Sequence, residues 1–327
     1  MRLLARRALV GLTVVAGVVT LTFILLHLAP GDPAERLLAP TATPAQLAVT
    51  RHDLGLDRPL PLQYAAWLAA FVRGDWGTSI ASGRPVARVL AEAWPATAEL
   101  VALSLILSYA LGVALGVVQA ARAGTRSDTI LSVATVTVFA LPGYWLGLMF
   151  VILLTYRLGV LPAFGAAGFD SDFLSGWPKL VDRLRHLALP LLTLTLIGVG
   201  GTARFARGAM LDAITAPFVT TARAKGLTTR RVLQHHALRN ALAPILTLLG
   251  LSLPALFSGA VFVEAVFAWP GVGRVLVEAV SARDYPVVMG ATAVSATLVV
   301  AGNLLADLLA AIVDPRVRET GHPAATA

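Results

Sequence analysis

The stretch "TAELVALSLILSYALGVALGVVQAA", residues 97–121, holds 25 residues, and only Glu99 among them carries a charge. A helix of about 20 apolar residues is long enough to cross the hydrocarbon core of a bilayer. The strands of a membrane barrel are about 10 residues long and alternate in polarity, which this run does not. We therefore predict a transmembrane helix, because a helix satisfies its own backbone hydrogen bonds in lipid.

Apolar runs of similar length lie on both sides of this stretch. Of the 327 residues, 57% are hydrophobic and 13% are charged, whereas soluble proteins carry about 25% charged residues. The sequence therefore predicts an all-α polytopic membrane protein with six transmembrane helices. The predicted spans are Ala8–Leu28, Thr97–Ala121, Thr129–Tyr156, His186–Ala203, Leu242–Ala268 and Val287–Val313. The first run exceeds the roughly 7–15 apolar residues of a signal peptide and lacks a following A-x-A pattern, so we expect it to be retained.

Lysine and arginine are distributed unevenly between the two sides of these spans. If the N-terminus is cytoplasmic, the cytoplasmic segments hold 14 basic residues against four acidic ones, and the outer segments hold 12 basic and 11 acidic residues. Since basic residues concentrate on the cytoplasmic side, we predict that both termini are cytoplasmic. This bias accounts for the net charge of +8. Nucleic acid is not an expected partner, because no aromatic residues are interleaved with the basic ones for base stacking.

The predicted spans divide the chain into four regions. These are the first transmembrane helix (1–28), an extracytoplasmic helical cap (29–95), a transmembrane core of five helices (96–313) that includes a cytoplasmic segment (204–240), and a cytoplasmic tail (314–327).

The cap contains signals for three short helices. Thr43, Pro44 and Gln46 fit the N-cap, N1 and N3 positions of a capping box with proline where it is tolerated. A second helix is predicted over Pro61–Val72, and a third, amphipathic and lying on the bilayer, over 83–95. The cap either docks an extracytoplasmic partner or braces the first two spans, and the sequence leaves both readings open.

The cytoplasmic segment is basic and rich in small residues. The stretch "TTARAKGLTTRRVLQHHALRNALAPI", residues 220–245, covers its second half and the start of the next span, and has five Lys or Arg residues and no acid. A short helix is predicted with Pro217 near its first turn and Gly226 as its C′ stop. Thr228 is the expected N-cap of the next helix. Because alanines between the charges let a helix approach closely, the short helix is suited to a cleft in another protein.

The residue types that carry catalysis are missing or poorly placed. No G-x-x-x-x-G-K-[ST] motif is present, so the chain cannot hydrolyse ATP through a P-loop. Cysteine is absent, which excludes a thiol nucleophile and a disulfide. No two histidines have metal-site spacing on one face, and the adjacent His235 and His236 are expected to point in different directions. No serine in a span has a mid-membrane histidine partner. We therefore expect a non-enzymatic chain without catalytic residues, bound cofactor or metal.

Polar residues within the spans are candidates for a gate or a pathway. Asn303 and Asp307 share a face of the sixth helix, and Glu264 lies near the outer end of the fifth. A helix–helix contact for Asp307 and a local cap for Glu264 remain alternatives. An ion-coupled secondary transporter would show more buried acids and an internal inverted repeat, and no repeat is evident. Further pathway candidates are small or weakly polar: Ser104, Ser108, Thr137, Pro142, Gly143 and Gly198.

The basic segment resembles the EAA loop of permease subunits of ATP-binding-cassette importers, in the dipeptide, oligopeptide and nickel branch. The resemblance rests on "TARAKG" (221–226) followed by "HALRNALAP" (236–244), with Thr221 at the position of the glutamate that names the loop. It extends over nearly the whole chain through further matching pieces. These are "PGDP" (30–33), "LGLDRPLPLQY" (54–64), "PATAEL" (95–100), "LRHLALP" (184–190), Glu264 with "VFAWPGVG" (266–273), and "RDYP" (283–286).

The resemblance implies a mechanism and a set of partners. The helix Thr215–Gly226 would be a coupling helix seated in a cytoplasmic ATPase subunit. The implied ATPase-coupling residues are Pro217, Thr221, Ala222, Arg223, Ala224, Lys225, Gly226, Asn240 and Pro244. The implied partners are a second homologous permease subunit, two ATPase subunits that bind ATP and Mg²⁺, an extracytoplasmic substrate-binding protein and membrane lipid. The implied location is the inner membrane of a prokaryotic cell, and the implied cargo is dipeptides or oligopeptides, with nickel, glutathione or another solute as alternatives.

Overall fold

The computed structural model describes residues 2–29, 31, 34, 38, 42–53 and 55–313. Within helices, only the backbone is described for residues 2–6, 243, 247, 250, 251, 253–259, 305–307 and 309–313. The described residues form two compact units. One is built mainly on Glu99–Trp269, and the other on Ala8–Ala98 together with Pro270–Val300.

The described secondary structure is helical apart from one isolated bridge between Thr78 and Pro85. In chain order the α-helices are α1 (Arg2–Leu28), α2 (Pro44–Asp53), α3 (Leu60–Val72), α4 (Val86–Ala121), α5 (Arg126–Ala140), α6 (Gly143–Phe150), α7 (Trp177–Thr215), α8 (Pro217–Ala224), α9 (Thr229–Arg231), α10 (Leu238–Val266), α11 (Val272–Ala282) and α12 (Tyr285–Val313). Two π-helical segments, Val151–Arg157 and Val232–Ala237, follow α6 and α9, and a 3₁₀ turn covers Ser171–Phe173.

Several of these helices are long and apolar enough to cross a bilayer. Within the described residues four pass that test, in α1, α4, α7 and α12, and a bent pair brings the number to five. Helix α10 coincides with the predicted fifth span, although many of its side chains lie outside the described set. The protein is therefore an all-α polytopic membrane protein, while the number of six spans and the orientation of the termini remain predictions.

The predicted third span is broken rather than continuous. Helix α5 ends at Ala140, and the segment Gly143–Arg157 leaves it at an angle of 102°. Pro142 has no backbone N–H and disfavours a helical conformation in the residue before it. Leu141 is accordingly extended, with ψ 136°. Proline therefore divides this span into two helices.

Small residues let three helices of the unit built on Glu99–Trp269 approach closely. A Cβ atom added to Gly116 of α4 would lie 2.7 Å from the carbonyl oxygen of Ala203 in α7, and one added to Gly112 would lie 2.6 Å from Thr202. On α7, a Cβ added to Gly200 would lie 2.7 Å from the carbonyl oxygen of Thr135 in α5. Close backbone approach at small residues drives helix association in lipid, where the hydrophobic effect between helices is absent.

The second unit is organised around the C-terminal end of α1 and the start of α12. Val86, Leu90 and Ala93 of α4 are buried with Val287 and other residues of α11 and α12. Four aromatic rings, Tyr64, Trp67, Phe71 and Trp76, stack in succession along α3 and the following turn, with centroids 5.0–6.3 Å apart.

Asp284 joins distant parts of this second unit. Its carboxylate is 2% exposed and accepts hydrogen bonds from the hydroxyl of Ser79 (2.5 Å) and the N–H of Ala81 (3.1 Å). The same carboxylate accepts the N–H of Val287 (3.4 Å), so Asp284 also caps the N-terminus of α12. The "RDYP" piece thus fixes the start of the last span.

The cap matches its prediction in part. Thr43 donates its backbone N–H to the side chain of Gln46 (2.8 Å) and its hydroxyl accepts the Gln46 N–H (3.3 Å), which confirms the capping box. Helix α3 covers the predicted second helix within one residue. Near the end of α2, a hydrogen bond to Asp57 raises the pKa of the His52 side chain.

The predicted separate third helix over 83–95 is wrong. Helix α4 begins at Val86 and runs without interruption through Pro95 to Ala121. The apolar face of Val86, Leu90 and Ala93 is buried in its unit rather than laid on a bilayer surface. That burial favours one long helix despite the proline.

Candidate functional site

Helix α7 carries the chain well beyond the predicted end of its span. The fourth span was expected to end at Ala203, but α7 continues to Thr215, which adds 12 residues or about 18 Å of helix. The first third of the segment 204–240, which is predicted to be cytoplasmic, is therefore part of a continuous helix rather than a loop.

The end of α7 is tied to the start of α5 by an ion pair. Arg207 donates from Nε and Nη2 to the two carboxylate oxygens of Asp128, at 2.9 and 2.8 Å. Asp128 also accepts the N–H of Gly124 at 3.1 Å. Sequence reasoning assigned both charges only to the topological bias. A bidentate pair is more specific than that, because it fixes two helix ends in register.

Helix α8 has the boundaries that the residues predict. Ala216 is extended, with ψ 148°, and Pro217 occupies the first turn. The helix ends at Ala224, and Gly226 has φ +78°, a conformation that residues with a side chain rarely adopt. Thr228 occupies the N-cap position of α9, but its side chain makes no capping hydrogen bond.

The two faces of α8 differ in their surroundings. Val219 and Ala222 are 1% and 4% exposed and pack against Val232 at the start of the second π-helical segment, with Leu227 beside them. An isolated eight-residue helix is unstable in water, so this apolar seat holds α8 in place. Burying a valine contributes about 1.5–3 kcal/mol.

The rest of the surface of α8, together with the two residues that follow the helix, is exposed and carries the basic residues Arg223 and Lys225. It includes Phe218, which is 38% exposed, and most of the predicted coupling residues. Those exposed residues are Pro217, Thr221, Arg223, Ala224, Lys225 and Gly226. In the part of the chain that the structure describes, neither Arg223 nor Lys225 pairs with an acid.

The other predicted coupling residues lie elsewhere. Ala222 is on the inner face of α8, so it supports the helix instead of belonging to its exposed surface. Asn240 and Pro244 are exposed on α10, and the amide of Asn240 donates to the carbonyl of His236 at 2.7 Å. Sequence reasoning missed the seat formed by Val219 and Val232, although the i, i+3 spacing of Val219 and Ala222 was a signal for it.

Comparisons with known proteins agree with this arrangement. A family model described as "Binding-protein-dependent transport system inner membrane component" matches residues 112–319, and the model of the N-terminal region of such components matches residues 1–101. The chain belongs to the binding-protein-dependent transport system inner membrane components.

Relatives in this family align over almost their full length. The oligopeptide transport system permease protein AppB of Bacillus subtilis is 38% identical over 95% of this chain and 98% of the relative. The probable D,D-dipeptide transport system permease protein DdpB of Escherichia coli is 39% identical over 94% of this chain and 95% of the relative. An inward-facing structure of the MetNI methionine ABC transporter covers 70% of this chain and 98% of its own, with a TM-score of 0.55 and 16% identity, a similarity of fold.

The gate candidates of this transport component occupy different settings. Glu264 is fully buried in the last turn of α10. Nearby, Arg183 pairs with Glu99 and lies 4.5 Å above the ring of the buried Trp269. Asn303 is exposed on α12, and the side chain of Asp307 lies outside the described residues. Pro142 lies at the bend between α5 and α6.

Two of the six further pathway candidates meet in a groove. Ser108 of α4 and Gly198 of α7 line a cavity of about 600 Å³ within the unit built on Glu99–Trp269. Tyr109 and Ser252, which bond at 2.7 Å, line it from α4 and α10. Ser104 is buried outside this lining, while Thr137 is exposed and Gly143 is half-buried. The groove combines hydroxyl groups with apolar walls, which suits a solute of mixed polarity.

Proposed function

We propose that this chain is a permease subunit of an ATP-driven importer of dipeptides or oligopeptides, and that α8 receives the movement of an ATPase subunit. The observation that carries the proposal is the exposed basic face of α8 on a buried apolar seat. The names of the aligned relatives, which include an oligopeptide permease and a D,D-dipeptide permease, support the substrate class.

The position of α8 suits the transmission of force. A single non-helical residue, Ala216, joins it to α7, and its inner face packs on the segment Val232–Ala237, which leads directly into α10. A displacement of α8 therefore acts on two spans at once. Moving a two-state equilibrium from 1:99 to 99:1 requires about 5.5 kcal/mol of differential affinity. We assign that free energy to ATP binding and closure of the ATPase subunits.

The proposal includes an assembly and a location. Two permease subunits, two ATPase subunits that bind ATP and Mg²⁺, and an extracytoplasmic binding protein act together in the inner membrane of a prokaryotic cell. The chain has six spans with both termini in the cytoplasm and binds no cofactor itself. Substrate crosses beside Ser108, Gly198 and the other residues of the groove, and Pro142, Glu264, Asn303 and Asp307 gate the path.

A pair of alanine substitutions tests the role of α8. Ala224 is exposed on α8, and Ala123 is exposed in the turn after α4. Leucine at position 224 enlarges the proposed contact surface without touching the apolar seat. We expect Ala224→Leu to lower ATP-dependent peptide uptake into proteoliposomes about tenfold, since overpacking a close contact costs about 1–3 kcal/mol. Ala123→Leu adds the same bulk outside α8 and should leave uptake unchanged.

The same preparation separates the importer from an ion-coupled transporter. Uptake should require ATP, the ATPase subunits and the binding protein together. Uptake by the purified chain alone on an ion gradient would contradict the proposal. Equal uptake by both leucine variants would remove α8 from the coupling path.

A further inference from the structure

The π-helical segment Val232–Ala237 and the residues on either side of it line a cavity with polar side chains. In an α-helix, residues five apart are separated by about 140° around the axis. In a π-helix, hydrogen bonds run from i to i+5, which reduces this separation. Arg231 and His236, on either side of this turn, both line one cavity. His235 also lines this cavity, and the expectation that it and His236 point in different directions stays a prediction.

This cavity has a volume of about 740 Å³ and a uniform chemistry. Its lining consists of Arg231, Gln234, His235, His236, Arg239 and Asn240. These supply two guanidinium groups, two imidazoles and two amides, with no carboxylate. Within the described residues, neither arginine pairs with an acid. Guanidinium forks surrounded by further N–H donors match the oxygens of a phosphate.

An apolar strip continues directly from the cavity along α10. Leu242 and Leu246 follow Arg239 by three and seven residues and so lie on the same side of the helix. Their side chains are 38% and 39% exposed. The cavity also lies at the end of the predicted fifth span, where the chain meets the bilayer surface. A cationic cavity above an exposed apolar strip matches a molecule with a phosphate head and a hydrocarbon tail.

We propose that this cavity binds the phosphate headgroup of an anionic phospholipid, whose acyl chain lies along Leu242 and Leu246. Basic pockets at the cytoplasmic ends of spans bind such headgroups in other membrane proteins. A free phosphate could use the same donors, but it would leave the leucine strip uncovered. An acidic protein surface would also satisfy the arginines, and the experiment distinguishes it.

The test is native mass spectrometry of the full chain, purified with its ATPase subunits and titrated with phosphatidylglycerol, phosphatidylcholine or inorganic phosphate. The wild-type chain should retain phosphatidylglycerol in preference to phosphatidylcholine. The double variant Arg231→Gln/Arg239→Gln should bind phosphatidylglycerol about 30-fold more weakly, from about fivefold for each cation. Arg122→Gln/Arg126→Gln removes the same charge from exposed positions that do not line this cavity, and should weaken binding less than threefold.

Each alternative result has a definite meaning. Equal weakening in the two double variants would overturn the proposal, because the attraction would then be diffuse. Competition by inorganic phosphate at equal concentration would assign the cavity to a soluble anion. Loss of the ATPase subunits with unchanged lipid binding would assign it to a protein contact. If the wild-type chain retains phosphatidylcholine as well as it retains phosphatidylglycerol, the proposal is overturned without any variant, so it stays open to refutation even if a variant fails to fold.

Discussion

Replacing Gly226 by valine should separate ATP hydrolysis from transport. Gly226 has φ +78° and follows α8 by two residues. A Cβ atom added there would meet nothing within 4 Å, so the backbone conformation is the only direct source of strain. A β-branched side chain is especially unfavourable at positive φ.

The magnitude follows from the backbone alone. Holding a residue with a side chain in the left-handed region costs about 1–2 kcal/mol. The segment can escape this cost by changing φ at position 226, but Leu227 would then leave the apolar seat of Val219, Ala222 and Val232. In either case the coupling-competent arrangement of α8 becomes about 5- to 30-fold less populated.

A matched glycine provides the control. Gly159, two residues after the π-helical segment Val151–Arg157, has φ +64° and also has nothing within 4 Å of an added Cβ atom. Gly159→Val therefore carries a similar local cost outside α8. The assay compares ATPase activity and peptide uptake in proteoliposomes that contain the complete transporter. We expect Gly226→Val to lower uptake per ATP hydrolysed about 5- to 30-fold, and Gly159→Val to leave that ratio unchanged.

Two results would refute this reasoning. If both variants lower the ratio equally, general strain at the membrane surface is responsible and α8 has no special role. If Gly226→Val transports normally while its thermal stability falls as expected, the conformation at position 226 does not matter for coupling.

Two further predictions concern the fold. Gly116→Ala should destabilise the purified chain by about 1–2 kcal/mol, because the new methyl group lies 2.7 Å from the carbonyl oxygen of Ala203. Gly208→Ala, which has open space around the added methyl group, should stabilise the chain by up to about 1 kcal/mol. Thermal unfolding in detergent measures both effects, and a stabilised Gly116→Ala variant would contradict the close approach of α4 and α7. Asp284→Ala should lower the free energy of unfolding by about 2–4 kcal/mol, because it leaves the Ser79 hydroxyl and two backbone N–H groups without their acceptor. Unchanged thermal stability would show that water replaces the carboxylate.

Prolines show where the sequence was informative about the fold and where it was not. The positions of the apolar runs were readable because their length and composition alone decide membrane burial. Pro95, Pro142 and Pro190 carry the same local signal, yet Pro95 and Pro190 lie inside continuous helices and only Pro142 marks a break. A proline inside a helix destabilises it by about 3 kcal/mol, and the helix continues only where tertiary packing offsets that loss. Pro190 is buried within α7, whereas Pro142 and the extended Leu141 before it lie between the end of α5 and the start of α6.

The sequence predicted where helix α8 begins and ends, but not which of its faces is buried. Proline at the first position of α8 and glycine after its end are local signals, and both boundaries are confirmed within two residues. The burial of Ala222 depends on Val232, which belongs to another helical segment, and no local signal pairs the two. The π-helical turn was not predictable from local signals either, because Val232 and Ala237, at its two ends, are buried against other parts of the chain.

The close contacts of α7 restrict how this unit can move. Gly112 and Gly116 bring α4 against Thr202, Ala203 and Ala206, and on its other side Gly200 brings α7 against α5. Such interfaces are close-packed and do not deform continuously, so a helix cannot slide within them by a fraction of a turn. If α8 is displaced as we propose, α7 must carry α4 and α5 with it, and the Arg207–Asp128 pair is positioned to keep α5 in register during that movement. Alternating access would then arise from rocking of the whole unit, with the groove at Ser108 and Gly198 carried along unchanged.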